Sequence, residues 1–168
     1  MERFILYSRL VFLSIFYFPA TVLHESFHAL AALVTGAKIT RFSLFPKLVR
    51  NETDGRYLIV YGSVSSIPRI AFLQFFVAIA PVFLWGILYL FLSNYGFVSI
   101  TLDEGIASGE FDYERFFVLE NWPLWYAAMQ LFGGAFLSMQ DIKVALMSFF
   151  SPSGVAVIVT AILFAFQS

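Results

Sequence analysis

Long apolar runs separated by polar stretches divide this chain into four candidate membrane spans and one region of a different pattern. A helix needs about 20 largely apolar residues to cross a bilayer. The first candidate runs from about Ile5 to Val34, interrupted by Arg9, Pro19 and the polar group His24, Glu25, Ser26 and His28. It is longer than a bilayer requires, so tilt or a kink near Pro19 is expected. The second, about Pro68 to Leu92, opens on a proline suited to a first helical turn and has Ala80 and Pro81 midway. The third, about Trp122 to Phe150, contains Gly133, Gly134 and Asp141. The fourth, about Pro152 to Phe166, is short enough to be a span that starts deep or an interfacial helix. Between the first two, Ile39 to Phe45 and Tyr57 to Val64 are rich in aromatic and β-branched residues, and Asp54-Gly55 supplies turn chemistry. The pattern predicts an α-helical integral membrane protein, a single domain over residues 1–168. It has about four transmembrane helices (about 5–34, 68–92, 122–150 and 152–166) and a small β-hairpin (about 39–64) between the first and second.

Composition agrees: 60% of the residues are hydrophobic, 20% aromatic and only 12% charged, which excludes an ordinary soluble domain and a nucleic-acid binder. The charges are segregated. Lys38, Arg41, Lys47, Arg50 and Arg56 lie between the first two spans and Arg69 at the start of the second, six of the ten basic residues, and the positive-inside rule assigns the segment 36–67 to the cytoplasm. The segment between the second and third carries Asp103, Glu104, Glu110, Asp112, Glu114 and Glu120 against a lone Arg115, which fits the opposite side. Arg3 and Arg9 count mildly against this orientation. There is no cysteine, so disulfides, thiolate ligands and a thiol nucleophile are excluded, and metal-binding chemistry falls to His, Asp and Glu.

The only two histidines stand four apart, with Glu25 after the first: His24-Glu25-Ser26-Phe27-His28. Chance gives this arrangement roughly once in two thousand such chains. Positions i and i+4 of a helix share a face, so two imidazoles there can hold one zinc ion, with Glu25 on the same turn as a base. Catalytic zinc commonly takes three protein ligands and keeps a fourth position open. By elimination the third ligand is Asp141, the only other carboxylate at membrane depth, where an ionised acid requires a partner. Asp141 could instead cap a short helix, since Ser138 precedes it by three residues; the two roles are compatible. Gln130 and Gln140, on the same span, could donate to an oxyanion or make ordinary interhelical bonds.

HExxH within a membrane helix, a basic hairpin after it, a helix with Ala80 and Pro81, and an aspartate on a later helix resemble the site-2 protease superfamily of intramembrane zinc metalloproteases. The similarity of order covers roughly Leu10 to Leu146. Typical members carry Asp followed by Gly; this chain reads Ser138-Met139-Gln140-Asp141-Ile142, which resembles compact members of the wider superfamily. The resemblance implies that His24, His28 and Asp141 bind one Zn2+, that Glu25 is the catalytic base, and that the substrates are membrane-embedded or membrane-proximal proteins. A multi-pass location in a prokaryotic plasma membrane is expected with it. The hairpin could hold an extended substrate by β-addition, with Tyr57, Ile59 and Tyr61 as the candidate strand. The rival is a membrane protein that binds metal without cutting peptides; a neighbouring glutamate is superfluous for that. The sequence carries no signal for oligomeric state.

Overall fold

In the computed structural model, residues 2–45, 47–50, 57–60, 62–103 and 106–166 are described. The first helix, α1, spans Glu2–Val34 without interruption and carries Pro19 inside it. Gly36 ends it, at φ 69°, with Ala37 N–H bonded to the Ala32 carbonyl and Gly36 N–H to that of Leu33. That pair of bonds is the Schellman arrangement, which needs a left-handed residue and so favours glycine.

The chain then turns back along α1. Strand β1 (Lys38–Ser43) pairs antiparallel with β4 (Ser63–Ile67), and β2 (Lys47–Arg50) with β3 (Tyr57–Val60). The region expected to form one hairpin therefore forms two short ladders in series. It lies against the helix rather than projecting beyond it: Phe45 stacks on Phe18 at 5.6 Å, and Gly62 packs against Thr21 and Glu25.

Helix α2 (Leu73–Ile79) passes through a tight turn at Ala80–Val82 into α3 (Phe83–Asn94). Gly96, at φ 70°, closes α3 as Gly36 closes α1. Strands β5 (Val98–Asp103) and β6 (Ile106–Phe111) form a second hairpin inside the acidic segment, followed by the short helix α4 (Tyr113–Phe116). The sequence reading assigned no element here, although Val98, Ile100 and Leu102 alternate with polar residues. Helices α5 (Trp122–Ala135), α6 (Met139–Phe149) and α7 (Pro152–Ala165) complete the chain.

The expectation of four spanning helices is overturned. Among the described residues one helical unit, Leu73–Asn94, is long and apolar enough to cross a membrane, or two if Met139–Phe149 and Pro152–Ala165 count as one span bent by 60°. The expected span 122–150 is two helices of 14 and 11 residues, each short of the crossing length. Phe136 is extended (φ −76°, ψ 130°), and Ser138 begins a new helix with a reciprocal capping box to Asp141, so local hydrogen bonding outcompetes continuation of an apolar run. The expected span 152–166 is likewise a 14-residue helix, redirected where Ser151 caps its start and accepts from Gly154 N–H.

Small residues let the helices approach closely: Ala20, Ala32, Ala78, Ala80, Ala128 and Ala135 are all buried. Gly134 of α5 is one such close approach; a Cβ there would lie 3.0 Å from the Ala20 carbonyl oxygen and 3.2 Å from Leu84. Gly86 of α3 faces open space. Gly134→Val is therefore expected to lower the thermal midpoint in detergent, at about 1–3 kcal/mol of overpacking. Gly86→Ala should leave the midpoint unchanged or raise it slightly, because it adds helix propensity without a clash.

Candidate metal centre

His24 and His28 project from one face of α1, their ring centroids 4.7 Å apart and their planes at 80°. Each ring is held from behind by a backbone carbonyl of another helix. His24 Nδ1 lies 2.9 Å from the Gly134 oxygen and His28 Nδ1 2.7 Å from the Val77 oxygen. A carbonyl only accepts, so both Nδ1 atoms carry the hydrogen and both Nε2 atoms present a lone pair.

Those two carbonyls are available because the helices that own them break. The α-helical partner of the Val77 carbonyl would be the N–H of residue 81, which is Pro81 and has none. Ala80 N–H takes one lone pair of that oxygen and His28 takes the other. The corresponding partner for Gly134 would be Ser138 N–H, which instead donates to Asp141 Oδ2 at 2.8 Å. The break between α5 and α6 thus frees the Gly134 carbonyl for His24 and, by the same bond, orients Asp141.

Asp141 closes the site. Its Oδ2 lies 3.4 Å from His24 Nε2, its Oδ1 3.3 Å from His28 Nε2, and the two Nε2 atoms are 3.0 Å apart. The oxygen that faces His24, Oδ2, is the one that accepts from Ser138 N–H in the capping box, and Asp141 N–H donates in return to Ser138 Oγ at 3.1 Å. Two ring nitrogens and two carboxylate oxygens this close repel one another unless a proton or a metal ion lies among them. His24, His28 and Asp141 could hold a metal ion. Ligand atoms bonded to one zinc ion at 2.0–2.2 Å in tetrahedral geometry lie about 3.3–3.6 Å apart. The two nitrogen–oxygen approaches fall in that range, each to a different oxygen of Asp141, and the nitrogen–nitrogen separation is a few tenths of an ångström shorter.

Glu25 stands one residue along the helix, buried, outside this triangle and beside it. Its carboxylate is walled by Gly62 of the hairpin: a Cβ there would sit 2.8 Å from Glu25 Cγ and 3.0 Å from its Oε1. Together with Thr21, Ser63, Ser65 and Gln140, these residues line one cavity of about 710 Å³. Of the strand named from sequence, Tyr57 and Ile59 fall in β3, and Tyr61 lies outside the described residues. The hairpin residues that line the cavity are Gly62 to Ser65. Gln140 lines the cavity, whereas Gln130 is buried and accepts from Ala20 N–H at 3.0 Å.

Sequence reasoning missed Gly62 and the carbonyls of Val77 and Gly134. Pro81, four residues after Val77, was the one legible signal among them. Ser138→Ala deletes half of the capping box and is expected to cost about 1 kcal/mol, read as a lower thermal midpoint. An unchanged midpoint would mean that the box does not hold the start of α6. Comparison with family models, with curated proteins and with solved structures returned no match.

Proposed function

We propose that this chain is a membrane-embedded zinc endopeptidase, similar to the site-2 protease superfamily, acting on membrane-embedded or membrane-proximal protein substrates. The observation that carries the reading is the convergence of His24 Nε2, His28 Nε2 and Asp141 on one point, with Glu25 beside them in the same cavity. Bound zinc supplies Lewis acidity and lowers the pKa of water to about 7. Glu25 takes a proton from the water that attacks the scissile carbonyl and returns it to the leaving nitrogen. The Nδ1 bonds to Gly134 and Val77 fix the tautomer of each imidazole, as carbonyl partners behind ligating histidines commonly do.

A bilayer is the environment that suits the surface. Phe12, Ile15, Leu33, Val34, Phe83, Leu90, Leu163 and Phe164 are all more than half exposed, an apolar display that an aqueous surface does not tolerate. The apolar unit Leu73–Asn94 supports the same environment. Substrate is held extended along β4, which is paired to β1 on one side and lines the cavity on the other; Val64 N–H reaches across to the Glu25 carboxylate. A metal carrier would need the three ligands but not a buried glutamate beside them.

The test is purification in detergent, measurement of bound zinc, and a cleavage assay on model transmembrane segments. Glu25→Gln should keep zinc and lower cleavage at least about a hundredfold. Asp141→Asn should weaken zinc binding itself. Full zinc content in the His24→Ala, His28→Ala double variant would refute the centre, and wild-type protein that binds zinc but cuts nothing would favour the carrier. Proline replacements along the free edge of β4 should slow cleavage without releasing zinc; undiminished turnover would remove the strand from the proposal.

A further inference from the structure

We infer that Gln130 is a positioning residue for the metal-binding turn of α1, acting through the helix backbone next to Pro19. The inference rests on the zinc reading of His24, His28 and Asp141. Pro19 supplies no N–H, and its ring crowds the carbonyl four residues back, so α1 is locally weakened one turn before His24. The next backbone pair, Ala20 N–H and the Phe16 carbonyl, would ordinarily bond to each other. Both are engaged by α5. Ala20 N–H donates to Gln130 Oε1 at 3.0 Å, and Tyr126 Oη donates to the Phe16 carbonyl at 3.3 Å. One turn further on, His24 Nδ1–H donates to the Gly134 carbonyl at 2.9 Å.

These three bonds form one ladder. Residues 16, 20 and 24 of α1 meet residues 126, 130 and 134 of α5, each pair separated by 110 positions. A constant offset requires the helices to run parallel and in register, with rungs about 6 Å apart. Sliding α5 along α1 would break all three bonds together, and the last rung orients a metal ligand. Gln130 is the middle rung and is only 4% exposed. Without its oxygen, Ala20 N–H either turns to the Phe16 carbonyl, which then serves both it and Tyr126 with its two lone pairs, or loses its partner. Either outcome alters how α1 continues from Pro19 into His24, and so shifts His24 Nε2 relative to Asp141 on α6.

The experiment compares Gln130→Met, which keeps length and loses the acceptor, with Gln130→Glu, which keeps an acceptor oxygen. Metal-free protein is titrated with Co2+, read by its visible absorption, and with Zn2+ against a chelator; kcat and KM are measured separately. Gln130→Met should weaken zinc binding about ten- to a hundredfold, the range for partners that orient ligands, and change the cobalt spectrum. It should lower kcat while KM stays within about twofold. Gln130→Glu should recover most of the affinity and the spectrum. If Gln130→Met does not fold, Tyr126→Phe takes its place; it removes the first rung, keeps the ring that packs on Phe16, and should weaken zinc several-fold. A wild-type cobalt spectrum and zinc affinity in the folded variant would overturn the inference. The His24→Ala, His28→Ala double variant, run alongside, separates the two failures. Metal retained there defeats the zinc reading, whereas metal lost there but unaffected in the Gln130 variants defeats only the positioning role.

Discussion

The centre depends on two backbone carbonyls that lack the helical partner four residues on. A histidine can direct its Nε2 lone pair at a fixed point only if something fixes its other nitrogen, and in an apolar interior the acceptors at hand are mostly backbone oxygens. In an unbroken helix each backbone oxygen already accepts the N–H four residues on, so fully available acceptors are scarce. Helix breaks supply them: Pro81 frees one lone pair of the Val77 oxygen, and the end of α5 frees the Gly134 oxygen. Two interruptions in otherwise apolar helices therefore set the orientation of both imidazoles. The second also delivers Asp141, because the N–H that Gly134 loses is the one that holds that carboxylate.

This explains which parts were legible in the sequence. His24, Glu25 and His28 could be read directly, since four-residue spacing on a helix fixes a shared face without tertiary knowledge. Asp141 was reached by elimination, and its capping role from Ser138 three positions earlier. The break that unites those two roles was not recognised as one. Hydropathy averages over Gly133 to Asp141 and sees a continuous apolar run, while the chain is decided there by an extended Phe136 and a local capping box. The expected span 122–150 failed for that reason. The hairpin at 98–111 is signalled only by the short alternation of Val98, Ile100 and Leu102 with polar residues, inside a segment dominated by acidic side chains. Backbone acceptors such as Gly134 carry no side-chain signature and are visible only in three dimensions.

The first hairpin illustrates the same limit. Its strand composition was plain, but not that it would fold back along α1, with Phe45 on Phe18 and Gly62 on Glu25. That packing turns a connecting segment into a wall of the cavity. It also joins two proposed roles, because the strand proposed to hold an extended substrate is continuous with Gly62, which confines the proposed base.

Helix geometry makes that confinement necessary. Successive residues differ by about 100° around the axis, so Glu25 cannot point where His24 and His28 point. It stays off the ligand triangle by construction, which a base requires, yet without a wall its flexible side chain could occupy many rotamers. Gly62 limits that freedom by bringing backbone close to the Glu25 side chain, and a residue with a Cβ could not approach as near. The two imidazoles are thus fixed by carbonyls behind them and the glutamate by backbone beside it. In a chain with so few polar side chains, the main chain does most of the orienting.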